Sequence, residues 1–202
     1  MKSWRFIIAA LLLLAAVWQW QQVWRSLRQV LVPPYPRGIV LHHSSSPPVL
    51  GGRMVNAAMI DAWHQRRGFG RADGERMYHI GYHFVILSDG SIQRGRPENL
   101  QGAHARYAND CIGICVVGDF SSSSNPRGRR GPVKPTPEQM KSLKYLLRYL
   151  FMKYPHLSAE RIYRHRDTGS ATDCPGDRFP YHDLKVQMAA WQAQQKSVTS
   201  DQ

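Results

Sequence analysis

The sequence predicts a mixed α/β domain in which a central mixed β-sheet is flanked by helices. Apolar runs at 39–43, 80–87 and 111–120 read as buried strands, whereas 55–67 and 137–151 repeat apolar residues at helical spacing. Ser88-Asp89-Gly90-Ser91 is a tight hairpin turn and makes one antiparallel pair. Helical stretches separate other strands, and such crossovers bring parallel pairing, so the sheet is mixed.

At the N-terminus, Lys2 and Arg5 precede the apolar run from Phe6 to Trp18, and Trp18, Trp20 and Trp24 border it. A basic start before such a run reads as a secretory h-region or a short membrane anchor. No small-x-small cleavage site follows, and border tryptophans suit an uncleaved anchor in the headgroup belt. Residues 1–24 are therefore expected to form a signal anchor or transmembrane helix, which makes the membrane a partner. Arg25 and Arg28 offset Lys2 and Arg5, so the positive-inside rule only leans toward a domain outside. Residues 25–37, with Val32-Pro33-Pro34-Tyr35-Pro36, are expected to be a stiff linker, because each proline fixes its own φ and biases its predecessor to extended geometry. The folded domain is expected over 38–195, with 196–202 a disordered tail.

Within the domain, Gly38 to His43 is the first strand. The helix over 55–67 places Val55, Met59, Ala62 and Trp63 on one side, and Gly68-Phe69-Gly70 ends it. The second strand and the hairpin partner Ile92 to Pro97 follow, then the loop Gly102-Ala103-His104-Ala105 and the strand Cys111 to Phe120. Ser121 to Lys134 is polar and glycine-rich, carries Arg127, Arg129 and Arg130, and reads as a mobile surface loop. Thr136, Pro137 and Gln139 form a capping-box start to a helix whose stripe is Met140, Leu143, Leu146, Leu147, Leu150 and Phe151. Ile162-Tyr163 is a short last strand that delivers His165, and a final helix runs from about Tyr181 to Gln195. There is no internal repeat.

A chain of 202 residues is long enough for one domain with a sizeable core. Its formal charge of +13 points to an anionic partner, whether nucleic acid, anionic lipid or a cell-wall polymer. No nucleic-acid motif or basic-aromatic stripe is present, and the secretory start argues against nucleic acid. The three cysteines do not make a disulfide framework. Cys111 and Cys115 lie in one strand, about 13 Å apart at about 3.3 Å per residue, too far to bridge.

Chemistry concentrates in the stretch from Tyr163 to Asp177, where His165 and Cys174 stand nine residues apart in a loop with two glycines and a proline. Imidazole and thiolate are preferred zinc ligands, and a catalytic zinc takes three protein ligands with one position left open. The first strand offers the third at His42. Adjacent strand residues face opposite ways, so only one of His42 and His43 enters such a site.

Six stretches carry a family resemblance. They are Ile39 to Ser44, Ile80 to Phe84, Gly90 to Arg96, Gly102 to Ala105, Ile112 to Ile114 with Gly118-Asp119-Phe120, and His165-Arg166-Asp167 through Asp177. In this order, over about residues 38 to 180, the chain resembles the zinc-dependent N-acetylmuramoyl-L-alanine amidases of the peptidoglycan recognition protein and phage-lysozyme type. The resemblance implies zinc held by His42, His165 and Cys174. It implies a catalytic Tyr82 and, two residues before the cysteine, a catalytic Thr172, where phage members carry lysine. The gap from His165 to Cys174 is one residue longer than the family pattern. The implied substrate is peptidoglycan or a muropeptide, cut between N-acetylmuramic acid and L-alanine. The alternative is a recognition module that binds peptidoglycan without cutting it. His104, Arg96 and His43 are the candidate substrate-binding residues, with Arg94 beside them, and His43 also reads as a hydrogen-bonded core residue. Asp167 and Asp177 are candidates to orient ligands, and Glu98 is a candidate base. The implied location is the bacterial cell envelope, with the domain in the periplasm on an inner-membrane anchor, or secreted if the leader is cleaved.

Overall fold

The computed structural model describes residues 11, 13–24 and 35–200, with side chains through 197. In chain order the domain contains β1 (Ile39–His43), β2 (Val49–Leu50), β3 (Arg53–Met54), α1 (Ala57–Gln65), β4 (Arg71–Asp73) and β5 (Arg76–Tyr78). Then come β6 (Phe84–Ile86), β7 (Ile92–Arg94), β8 (Ile112–Val116), α2 (Pro137–Lys153), β9 (Ile162–Arg164) and α3 (Tyr181–Ser200). Five strands form the central sheet in the order β7-β6-β8-β1-β9. Only β6 and β7 pair antiparallel, as the hairpin turn requires; β6–β8, β8–β1 and β1–β9 are parallel. The expected mixed sheet is present.

Strand alternation sorts the central strands into two faces. Ile39 and Leu41 of β1 and Ile112, Ile114 and Val116 of β8 pack with Leu143, Leu147 and Leu150 of α2 and Leu184 and Met188 of α3. The opposite face carries Cys115 and Val117, which pack with Val85 and with Ile60 of α1. This makes an α/β/α sandwich, and strands buried on both faces read as continuous apolar runs. By the same alternation His42 lies on the α1 face, level with Cys115. His43 lies on the other face, its ring 6.1 Å from that of Phe120.

Helix α2 starts as expected. The Gln139 N–H donates to Thr136 Oγ1 at 3.1 Å, and the Thr136 N–H donates to Gln139 Oε1 at 3.0 Å. Helix α1 is capped by Asn56; Ile60 and His64 are its buried residues, and of the expected side Val55 is buried in the same cluster while Met59 and Trp63 pack partly buried against it. A short hairpin, β4–β5, follows α1 where no strand was expected.

Three further expectations need correction. Helix α3 continues through Ser200, into the expected disordered tail, because Ala, Gln and Lys are good helix formers and no Gly or Pro interrupts them. The loop over 121–134 is tied down rather than free. Asn125 is buried, its Nδ2 donates to the Asp119 and Gly131 carbonyls, and its Oδ1 accepts from the Arg130 N–H. Arg130 also pairs with the buried Asp119 carboxylate at 2.5 Å, an electrostatic contact rather than an aligned hydrogen bond. Finally, Tyr35 and Arg37, expected in the linker, dock on the domain: Tyr35 donates to the Leu100 carbonyl at 2.6 Å and Arg37 pairs with Asp110 at 2.7 Å.

The expected membrane anchor falls partly outside the described residues, since 1–10 and 12 are not among them. Residues 13–24 are helical, and among the described residues no helix is long and apolar enough to cross a membrane. The described residues thus give the anchor no support.

Candidate functional site

Three segments meet at the end of the central sheet. The end of β1 supplies His42, the 3-10 turn after β9 opens with His165, and the loop that follows supplies Cys174. One donor atom from each of these residues lies within 4.8 Å of the other two. Cys174 Sγ is 3.6 Å from His42 Nδ1, and the His42 and His165 rings are 4.5 Å apart. β1 pairs with both β8 and β9, so the sheet itself brings residue 42 to residue 165.

All three donors are held uncharged. Burial keeps the His42 imidazole well below its ordinary pKa, helped by the neighbouring His104 and His165, and burial lowers His165 as well. Burial pushes the Cys174 thiol up to about 12, against a 3.4 Å hydrogen bond from the His43 N–H to its sulfur. Two neutral imidazoles and one thiol that can give up its proton suit a divalent cation of borderline softness. The expected set is brought together.

Beside it lies a cavity of about 470 Å³ that includes His165, Tyr82 and Thr172 in its wall. Tyr82 is half-buried, its ring 5.0 Å from that of His42. Burial, with the Cys115 and Cys174 thiols nearby, raises its phenol well above the usual value, so the hydroxyl keeps its proton. Thr172 Oγ1 accepts from the Cys174 N–H at 3.2 Å, which leaves its own proton free to donate. The lining residues include Arg67 and Arg106 and no carboxylate.

The other expected residues fare differently. Arg96 is 3 % exposed, and its guanidinium donates to the Ile80 and Gln101 carbonyls at 3.0 and 2.9 Å. It is spent on the fold, and its assignment to substrate is corrected. His43 is buried on the far face, where Nδ1 accepts from the Phe120 N–H at 3.2 Å; the core reading holds and the substrate assignment does not. His104 touches the cavity, yet both its ring nitrogens are engaged by His42 and by the Cys111 carbonyl, which removes it from direct substrate binding. Arg94 reaches Glu98 at 3.2 Å and lies outside this cavity. Glu98 is buried against Arg94, Lys153 and Tyr154, away from the donor set. Asp167 pairs with Arg164, and Asp177 accepts from the Ser122 N–H, so neither orients a donor.

His64 was missed. It lies in the cavity wall, and the Gly81 N–H donates to its Nδ1 at 2.9 Å. A backbone N–H can only donate, so the proton of neutral His64 is on Nε2. Gly81 must be glycine there, since a Cβ would sit 2.1 Å from the Ala103 carbonyl oxygen. The available signal was its helical spacing, four after Ile60.

His64 and His83 predict acid sensitivity. Burial lowers both to about 4 in the folded chain. Unfolded histidine titrates near 6.5, so the unfolded state binds more protons between about 6.5 and 4 and stability rises with pH across that window. The contribution is complete above about 6.5 and is lost toward pH 4, on the order of 3 kcal/mol for each residue. Urea midpoints measured across that range are expected to fall steeply with acid, and less steeply for His83→Gln. A flat profile would refute the neutral, buried assignment.

Comparison with known proteins places this geometry. The family model described as "N-acetylmuramoyl-L-alanine amidase" matches residues 33–177. The endolysin of Enterobacteria phage T3 is 31 % identical over 164 residues, which is 81 % of this chain and 89 % of that protein. Among solved structures, the N-acetylmuramoyl-L-alanine amidase LysC from Clostridium intestinale URNW is 37 % identical with a TM-score of 0.58, over 74 % of this chain and 82 % of that one. A Drosophila PGRP-LB mutant in complex with tracheal cytotoxin is 28 % identical with a TM-score of 0.52, over 73 % of this chain and 78 % of that one. The matching family model and the phage T3 endolysin together show that the chain belongs to the N-acetylmuramoyl-L-alanine amidase family of enzymes.

Proposed function

We propose that the protein hydrolyses the amide between the lactyl group of N-acetylmuramic acid and L-alanine in peptidoglycan, with zinc held by His42, His165 and Cys174. The observation that carries this reading is the neutral two-imidazole, one-thiol set, whose donor atoms lie within 4.8 Å of one another beside a carboxylate-free cavity. When bound, zinc lowers the pKa of water and polarises a carbonyl.

The remaining roles belong to the chain. Tyr82 and Thr172 each keep a hydroxyl proton in the cavity wall, and both can donate to the oxyanion that forms as the amide carbon becomes tetrahedral. Tyr82 can also pass a proton from the attacking water toward the leaving amine. His64 presents a fixed Nε2–H to the bound substrate. Arg67 and Arg106 supply positive charge for stem-peptide carboxylates, in keeping with the chain's net charge of +13. One water is consumed, the lactyl carboxylate and the alanine amine are released, and no carboxylate of the wall acts as base. The basic, apolar start of the sequence is in keeping with export to the cell envelope, where peptidoglycan lies.

The test is incubation of the full chain with purified peptidoglycan, followed by mass analysis of the soluble fraction. Stem peptides with a free alanine amine, together with glycan that has lost them, are expected. Binding of peptidoglycan with no release would replace this reading with a recognition module.

A further inference from the structure

Behind the donor set runs a hydrogen-bond chain whose direction is fixed at its far end. The Cys111 carbonyl can only accept, so His104 Nε2, 3.0 Å away, carries a proton. Both rings lie in the interior, His42 fully buried and His104 nearly so. With one N–H on each ring, the direction set at the Cys111 carbonyl carries through to His42. His104 Nδ1 is therefore an acceptor, and His42 Nε2, 3.0 Å from it, is the donor. That leaves the lone pair of His42 on Nδ1, the nitrogen that faces Cys174 Sγ at 3.6 Å.

The His104 ring is also clamped in place. A Cβ on Gly102 would lie 2.3 Å from His104 Cδ2, and one on Gly113 would lie 2.4 Å from the same atom. The ring fills a slot that only two glycines leave open, one in the preceding loop and one in β8 opposite Val40. Asn109 Oδ1 accepts from the His104 and Ala105 N–H groups at 2.9 and 3.0 Å and holds the loop beneath it.

We infer, resting on the zinc reading proposed above, that His104 is a positioning residue: by accepting the Nε2 proton of His42 it presents Nδ1 of His42 to the metal. His104 acts through His42 and has no need to touch substrate. A partner of this kind fixes both the tautomer and the ring orientation of a ligating histidine.

The test uses the full chain, with zinc affinity measured by chelator competition and ring-nitrogen protonation read from ¹⁵N spectra of the histidines. His104→Phe keeps a ring for the glycine slot but removes the acceptor, and His104→Asn keeps an acceptor oxygen near the Nδ1 position. In the zinc-loaded parent, His42 is expected to be protonated at Nε2 and ligated through Nδ1. His104→Phe is expected to bind zinc about 10–100-fold more weakly, with most of the loss recovered in His104→Asn. Ligation of His42 through Nε2, or unchanged affinity in His104→Phe, would overturn the inference. A parent chain that takes up no zinc sinks the donor-set reading itself, whereas one zinc per parent chain with an indifferent His104→Phe sinks only the role of His104. If His104→Phe does not fold, the nitrogen assignment in the parent decides alone.

Discussion

Cys174→Ser is expected to yield a folded protein that retains no zinc and releases no stem peptide above background. Cys174 is 6 % exposed, and its sulfur lies 3.6 Å from His42 Nδ1 and accepts the His43 N–H. Serine occupies nearly the same volume and can still accept that N–H, so the loop should keep its path. A hydroxyl does not ionise near neutral pH, however, and the donor set drops to two neutral imidazoles. The affinity loss should exceed the about 10–100-fold expected for losing a partner behind a ligand. Metal content by atomic absorption, a melting curve and product release on the same preparation make the check. One zinc per chain with normal turnover in Cys174→Ser would remove Cys174 from the set.

Tyr82→Phe separates catalysis from metal binding. The ring packs on the α1-face cluster of Ile60, Ile80 and Val85, and phenylalanine preserves that packing. Zinc content and substrate KM are therefore expected to stay near the parent values. Only the hydroxyl proton is lost, and kcat is expected to fall about 10²–10³-fold, the range for removing one oxyanion donor. A fully active Tyr82→Phe would exclude the oxyanion role, whereas a variant that also loses zinc would place Tyr82 in the support of the donor set.

Residues whose chemistry is local were readable before any coordinates. The spacing of His165 and Cys174, the His42-His43 alternation and the Thr136 capping box each depend on nearby backbone geometry, and each appears as expected. Arg96, Glu98 and His104 were misread because their partners are backbone carbonyls and side chains brought in by folding, such as Ile80, Lys153 and Cys111. An arginine in a hairpin sequence looks like solvated charge until the carbonyls that surround it are known. The loop over 121–134 failed for a related reason: its composition is that of a free surface, but Asn125 ties its two ends together and Arg130 reaches the distant Ser45 carbonyl. The β4–β5 hairpin had one local signal, Asp73-Gly74, yet exposed strands of only three residues are too short to show an alternation.

The pairing of β1 with β9 also orders events in time. His42 and Cys174 are 132 residues apart along the chain, and β9 is the last strand to be made. During synthesis the first four-fifths of the polypeptide carries one member of the set and neither of its companions. The set is incomplete until the edge strand β9 and the loop after it lie beside the end of β1. Until then the nascent or unfolded chain holds a single imidazole of the three donors, and no site.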